Sequence, residues 1–114
     1  MNKEQNAPLM ALGLSKKAGK LICGTPLVCA AVASQKKPNL AILSKGASEN
    51  TKKKLRDKCA HYGVQLCELD AAPEDISRAI GGRASVAAVA ICDAGLAGLF
   101  LAKVKADNDN RNEG

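Results

Sequence analysis

Short unbroken apolar runs alternate along this chain with longer stretches in which apolar residues recur at helical spacing. Residues 7–17, rich in Ala, Leu and Met, predict a first helix closed by the turn Ala18-Gly19. Lys20-Leu21-Ile22-Cys23 predicts a short strand. Thr25 then reads as an N-cap with Pro26 at the first helical position, and Leu27, Val28, Ala31 and Val32 supply the apolar face of a second helix that ends before Pro38. Leu40-Ala41-Ile42-Leu43 has no polar alternation, the pattern of a strand buried on both faces.

Ser48 reads as the N-cap of a third helix, with Glu49 in the first turn where the helix dipole favours an acid. Thr51, Leu55, Cys59 and Tyr62 follow at helical spacing as its buried stripe, and Gly63 stops it. Val64-Gln65-Leu66-Cys67 predicts a strand, Pro73-Glu74-Asp75 opens a fourth helix running to Ile80, and Val86 to Cys92 is the last strand. Asp93 caps a final helix whose Leu96, Leu99, Phe100 and Val104 share one face. Helices alternating with apolar strands predict an α/β chain, a three-layer α/β/α sandwich with a mixed sheet of about four strands. One domain over residues 1–106 and a disordered polar tail over 107–114 complete the expected organisation.

Composition narrows the function. Apolar residues make up 46% of the chain but aromatics only 2%, so Ala, Val, Leu and Ile must fill the core. Tyr62 and Phe100 are too few to build the stacking platforms of aromatic-rich single-strand binders. Residues 1–60 carry twelve basic and three acidic side chains, net +9, while the remainder carries five basic and eight acidic, net −3. A one-sided positive field on a small domain is the footprint of a polyanion partner. The five cysteines form no C-x-x-C pair and His61 is the single histidine, so neither a zinc site nor a disulfide framework is expected. Cys23, Cys67 and Cys92 fall in apolar runs, where each is expected to act as a small buried hydrophobe in a reduced compartment. Met1-Asn2-Lys3-Glu4-Gln5 lacks the apolar core of a signal peptide, and no apolar run approaches membrane-spanning length. A cytoplasmic protein is expected.

The segment Lys45-Gly46-Ala47-Ser48-Glu49-Asn50-Thr51-Lys52 follows a buried strand and opens a helix, so its backbone N–H groups are expected to form an anion site. Gly46 permits close approach of another backbone. Glu49 and Lys52, three residues apart, share a helix face. A carboxylate among lysines is the wrong group for plain phosphate attraction, but with a lysine beside it it can read the edge of a guanine. The plain alternative is that Glu49 only stabilises its helix N-terminus, by ~0.3–1 kcal/mol. Lys17 and Lys20, with Lys16, form a second basic cluster, and Arg83-Ala84-Ser85 in the turn after Gly81-Gly82 forms a third candidate contact. Ala18-Gly19-Lys20-Leu21 lacks the leading glycine and trailing Ser/Thr of a nucleotide-hydrolysing loop. No Ser or Cys and acid stand in recognisable order around His61, and Glu74 and Asp75 are explained by the helix they open. No enzyme and no cofactor are expected.

Taken together, residues 9–103 resemble the kink-turn-binding ribosomal protein family of the L-seven-Ae and L-thirty-e type. Leu12-Gly13-Leu14-Ser15-Lys16-Lys17-Ala18-Gly19-Lys20-Leu21-Ile22-Cys23-Gly24 looks like the opening of its small bacterial members. Ser44-Lys45-Gly46-Ala47-Ser48-Glu49-Asn50-Thr51-Lys52-Lys53 resembles the family's RNA-contact signature, and Ile80 to Asp93 its last loop and strand. The resemblance implies non-enzymatic binding of structured RNA, a kink-turn or related internal loop with sheared G·A pairs or a ribosomal RNA. It puts Glu49 and Lys52 on guanine edges, Lys53 on phosphate, and a further contact at Arg83-Ala84-Ser85. Ser48 stands where many members have asparagine, and the last loop offers glycine and one cation where archaeal members have apolar residues. The expected partners are structured RNA and ribosomal or RNA-modifying proteins, with the chain itself a monomer. A protein-interaction module on the same fold and an RNA-binding subunit acting in trans with a methyltransferase are the alternatives.

Overall fold

The computed structural model describes the backbone of residues 7–113 and the side chains of residues 7–108. The N-terminal segment read for a signal core lies outside these residues, as does Gly114. Nine elements follow in chain order: α1 (Ala7–Lys17), β1 (Leu21–Cys23), α2 (Thr25–Val32), β2 (Leu40–Ser44), α3 (Glu49–Tyr62), β3 (Leu66–Leu69), α4 (Pro73–Ala79), β4 (Ala88–Ile91) and α5 (Ala94–Glu113). The four strands form one mixed sheet in the order β1-β4-β2-β3, antiparallel at β1/β4 and β4/β2 and parallel at β2/β3.

The side chains of β2 and β4 explain the three layers. Along β2, Leu40 and Ile42 face one core while Ala41 and Leu43 face the other. On β4, Val89 and Ile91 join the first core and the small Ala88 and Ala90 the second. The bulky face is covered by α1, α4 and α5, which contribute Leu9, Leu12, Ile76 and Phe100. The slimmer face is covered by α2 and α3 through Val28, Val32, Leu55 and Cys59. Every residue of β2 is buried, as an unalternating apolar strand requires.

Several local expectations need correction. Gly24, at φ 98°, caps α2 without a side-chain hydrogen bond, so Thr25 is already helical. Leu27 is 63% exposed on that helix and Tyr62 is 36% exposed at the end of α3, so neither belongs to a buried face. The third strand begins two residues later than expected: Val64 is buried in the core beneath α3 and serves as the connection, and pairing starts at Leu66 opposite Ala41. The last strand is shorter than the apolar run that marked it. Cys92 is exposed, and Cys23 and Cys67 are only half-buried, whereas Cys29 and Cys59 are the fully buried thiols. From Asp107 the polar segment continues α5 rather than fraying, because a nucleated helix propagates and nothing between Leu99 and Glu113 is Pro or Gly.

Candidate nucleic-acid interface

One end of the sheet gathers most of the candidate residues. The N–H groups of Gly24 and Ser44 donate to successive carbonyls, Ala88 at 2.9 Å and Ala87 at 2.8 Å, so the chain leaving β1 and the chain leaving β2 flank the start of β4. With strands spaced by ~4.8 Å, the N-termini of α2 and α3 open side by side, roughly 10 Å apart, on the same face of the sheet. Between them enters the loop Arg83-Ala84-Ser85, exposed throughout.

The turn from β2 to α3 is fixed from within. Ser44 is fully buried, and its hydroxyl donates to the Ala71 carbonyl and accepts the N–H of Gly46 at 3.0 Å. The Lys45 N–H donates to the Leu69 carbonyl at 2.9 Å and the Ala47 N–H to the Ser44 carbonyl at 3.1 Å. These bonds narrow the expected anion site, because the N–H groups of Lys45, Gly46 and Ala47 already have protein acceptors. Ser48 caps α3: its oxygen accepts from the Thr51 N–H at 3.2 Å, and its hydroxyl donates to Thr51 Oγ1 at 3.0 Å. The N–H groups of Ser48, Glu49 and Asn50 remain, which have no acceptor inside the helix.

Gly46 stands against the β3–α4 connection. A Cβ placed there would lie 3.0 Å from Pro73 Cδ and 3.6 Å from Ala72 Cα. The carbonyl of Pro73 in turn accepts the Val86 N–H at 3.2 Å, tying the Arg83–Ser85 loop to the same joint. Gly82 closes that loop through its N–H to the Ser77 carbonyl at 2.8 Å, and Glu74, Ser77 and Arg78 line the shallow depression beneath it.

Glu49 and Lys52 do share a face: Lys52 Nζ stands 3.3 Å from Glu49 Oε2, the lysine side chain 17% exposed and the glutamate 88%. Behind them Arg56 on α3 grips Glu68 on β3, with Nε 2.8 Å from Oε2 and Nη2 2.5 Å from Oε1. This two-pronged hydrogen bond holds the Glu68 carboxyl below the usual range, and the charges of Lys52 and Lys45 reinforce it. Glu68 is thus the counter-charge to three cations at this edge, a role its place in a short strand gave no sign of. The apolar Leu27, expected on the buried face of α2 but exposed in its first turn, is the other neighbour at this edge.

Three expected site residues are placed differently. Ala47 is 7% exposed and packs in the core beneath α3, so it anchors the turn from inside. Lys17 and Lys20 lie at the opposite end of the sheet: the Lys20 carbonyl accepts the N–H of Cys92, just past the far end of β4, at 2.8 Å. Leu21 pairs with Ile91, which pairs with Leu40, so β2's length, roughly 13 Å, separates that end from Ser44. Lys45, Gly46, Ser48, Glu49, Lys52, Lys53, Arg83, Ala84 and Ser85 come together at the near end. Among the described residues there is no cluster of metal-ligating side chains, and no helix long and apolar enough to cross a membrane.

Comparison with known proteins agrees with this architecture. The model of the ribosomal protein L7Ae/L30e/S12e/Gadd45 family matches residues 8–100. RNA-binding protein YlxQ of Enterococcus faecium is 40% identical over 82 residues, covering 71% of this chain and 78% of that one. Its namesake from Bacillus subtilis (strain 168) is 34% identical over 90 residues, covering 79% and 87%. A protein of unknown function from Bacillus halodurans C superposes with a TM-score of 0.77 at 33% identity, over 86% of this chain and 96% of its own. The Giardia lamblia 15.5kD RNA binding protein shares the fold at a TM-score of 0.70 and 16% identity, over 96% and 92%. The chain, matched by that family model over most of its length and by relatives 40% and 34% identical, belongs to the ribosomal protein L7Ae/L30e/S12e/Gadd45 family.

Proposed function

We propose that this chain is a non-enzymatic binder of structured RNA, and that it reads an internal loop with sheared G·A pairs, a kink-turn or a related ribosomal RNA element. The observation that carries the reading is the shared edge itself: two helix N-termini, the pair Glu49–Lys52 and the exposed Arg83-Ala84-Ser85 loop converge around the start of β4. Helix N-termini favour phosphate, and lysines at 45, 52 and 53 add attraction. Exposed Glu49 accepts hydrogen bonds from a guanine edge while Lys52 donates to the same base. Exposed Leu27 adds an apolar contact for an unstacked base at the rim. Membership of the family and the RNA-binding names of the bacterial relatives support this reading.

The chain is taken to act as a monomer, in association with ribosomal RNA or with a leader RNA of the same structure. The test is a titration against an RNA duplex carrying tandem G·A pairs beside a bulge, and against the same RNA with those pairs made Watson–Crick. Preference for the G·A form supports the reading, and equal affinity contradicts it.

A further inference from the structure

The two lysines displaced from the reading edge belong to a second exposed basic surface. Lys16 and Lys17 occupy the last turn of α1, and Lys20 follows Gly19, whose φ is 71°. Two bonds lock this turn, from the Lys20 N–H to the Ser15 carbonyl at 2.9 Å and from the Gly19 N–H to the Lys16 carbonyl at 3.0 Å, the pairing of a Schellman motif. The Cys92 N–H then ties Lys20 to the end of β4. On the other side of β4, the Asn39 N–H donates to the Ile91 carbonyl at 2.9 Å, which brings the exposed Lys36, three residues earlier, to the same end.

Inside the protein these ammonium groups meet little: Lys16 Nζ stands 4.0 Å from Cys23 Sγ. Among the described residues, Lys16, Lys17, Lys20 and Lys36 form no ion pair with a carboxylate. Asp93, next to Cys92, has its carboxylate committed to the Leu96 N–H at 2.9 Å, capping α5. Three lysines on a hydrogen-bonded turn lose less freedom on binding than lysines on a loose tail. Stabilising the negative end of α1 accounts for Lys16 and Lys17. It does not account for Lys20, beyond the helix, or for Lys36 across β4.

We infer that Lys16, Lys17, Lys20 and Lys36 form a second contact for an RNA phosphate backbone, so that the protein bridges two RNA segments, one at each end of its sheet. The inference rests on the proposed RNA reading of the near edge. The chemistry is sequence-independent: lysines at fixed spacing neutralise phosphates and release counterions. The two surfaces open in opposite directions, so a single short helix cannot occupy both.

The experiment is a recruitment assay with the full chain. The G·A internal-loop RNA is immobilised and loaded with protein, and a labelled plain RNA duplex is then added. Wild-type protein is expected to recruit the duplex. The K16A/K17A/K20A variant is expected to bind the loop RNA within twofold of wild type and to recruit at least tenfold less duplex. Recruitment of a DNA duplex as well supports the same phosphate contact without preference for ribose. Loop binding with no recruitment by wild type, or equal recruitment by the triple variant, overturns the inference and leaves the near-edge reading standing. If wild type fails to bind the loop RNA, the near-edge reading has failed instead. Direct titration of the plain duplex then decides: weakened binding by the triple variant supports the second surface, and unchanged binding overturns it.

Discussion

Gly46 and Pro73 touch so closely that a Cβ on Gly46 would stand 3.0 Å from Pro73 Cδ. The contact joins the turn that opens α3 to the connection that opens α4, and the Pro73 carbonyl carries the joint on to Val86 and the Arg83–Ser85 loop. No side chain fits there without moving one of these pieces.

Gly46→Ala is therefore expected to destabilise the fold by ~1–3 kcal/mol, the usual cost of overpacking a tight contact. Urea unfolding checks this. RNA affinity is expected to fall beyond what the unfolded fraction explains, because the turn and the Arg83 loop are displaced together. An unchanged midpoint and unchanged affinity would mean that the joint is slack.

Ser48 has both its hydrogen-bonding capacities committed to Thr51. Ser48→Ala is expected to cost about 1 kcal/mol through the lost cap, while Ser48→Asp keeps the fold near wild type because aspartate caps as well. If the alanine variant unfolded at the wild-type midpoint, the cap would contribute nothing to stability.

Glu68 gives a pH prediction. Its carboxyl is lowered by the Arg56 hydrogen bond, so the folded state holds its proton less tightly than the unfolded chain. The stabilisation is fully present above the unfolded carboxylate value and is lost as pH falls through the lower, folded one. The unfolding midpoints of wild type and Glu68→Gln should therefore differ at neutral pH and converge in acid. The same substitution removes the counter-charge to Lys45, Lys52 and Arg56, so binding of plain RNA duplex should tighten severalfold at low salt.

The roles of Glu49 and Lys53 separate in a salt series. Lys53→Ala is expected to weaken G·A and Watson–Crick RNAs alike and to reduce the slope of log affinity against log salt by roughly 0.7–0.9. Glu49→Ala is expected to bind the Watson–Crick RNA as well as wild type or better, while losing preference for the G·A form. Retained preference would remove Glu49 from base reading.

The elements were legible wherever chemistry was local. Ser48 and Gly63 marked both ends of α3 because a hydroxyl cap and a left-handed glycine, here at φ 72°, are local devices. The apolar run at β2 was legible because burial on both faces erases alternation. Thr25 misled because Gly24 takes the cap position with a backbone geometry no motif announces. Val64 misled because a buried connection has the same composition as a strand. For the site, the near-edge residues within 44–53 were legible as one stretch, but the separation of Lys17 and Lys20 from them was not. It follows from β4 lying antiparallel between β1 and β2, a pairing that no periodicity along the chain encodes.

Backbone amide NMR during titration with a short G·A internal-loop RNA decides whether RNA is read at the end of the sheet where β4 begins. The expected result is that shifts concentrate at residues 24–27, 45–53 and 83–87, with Glu49, Lys52 and Arg83 among the largest. Shifts gathered instead around Lys17, Lys20 and Cys92, with the near edge unchanged, would contradict it.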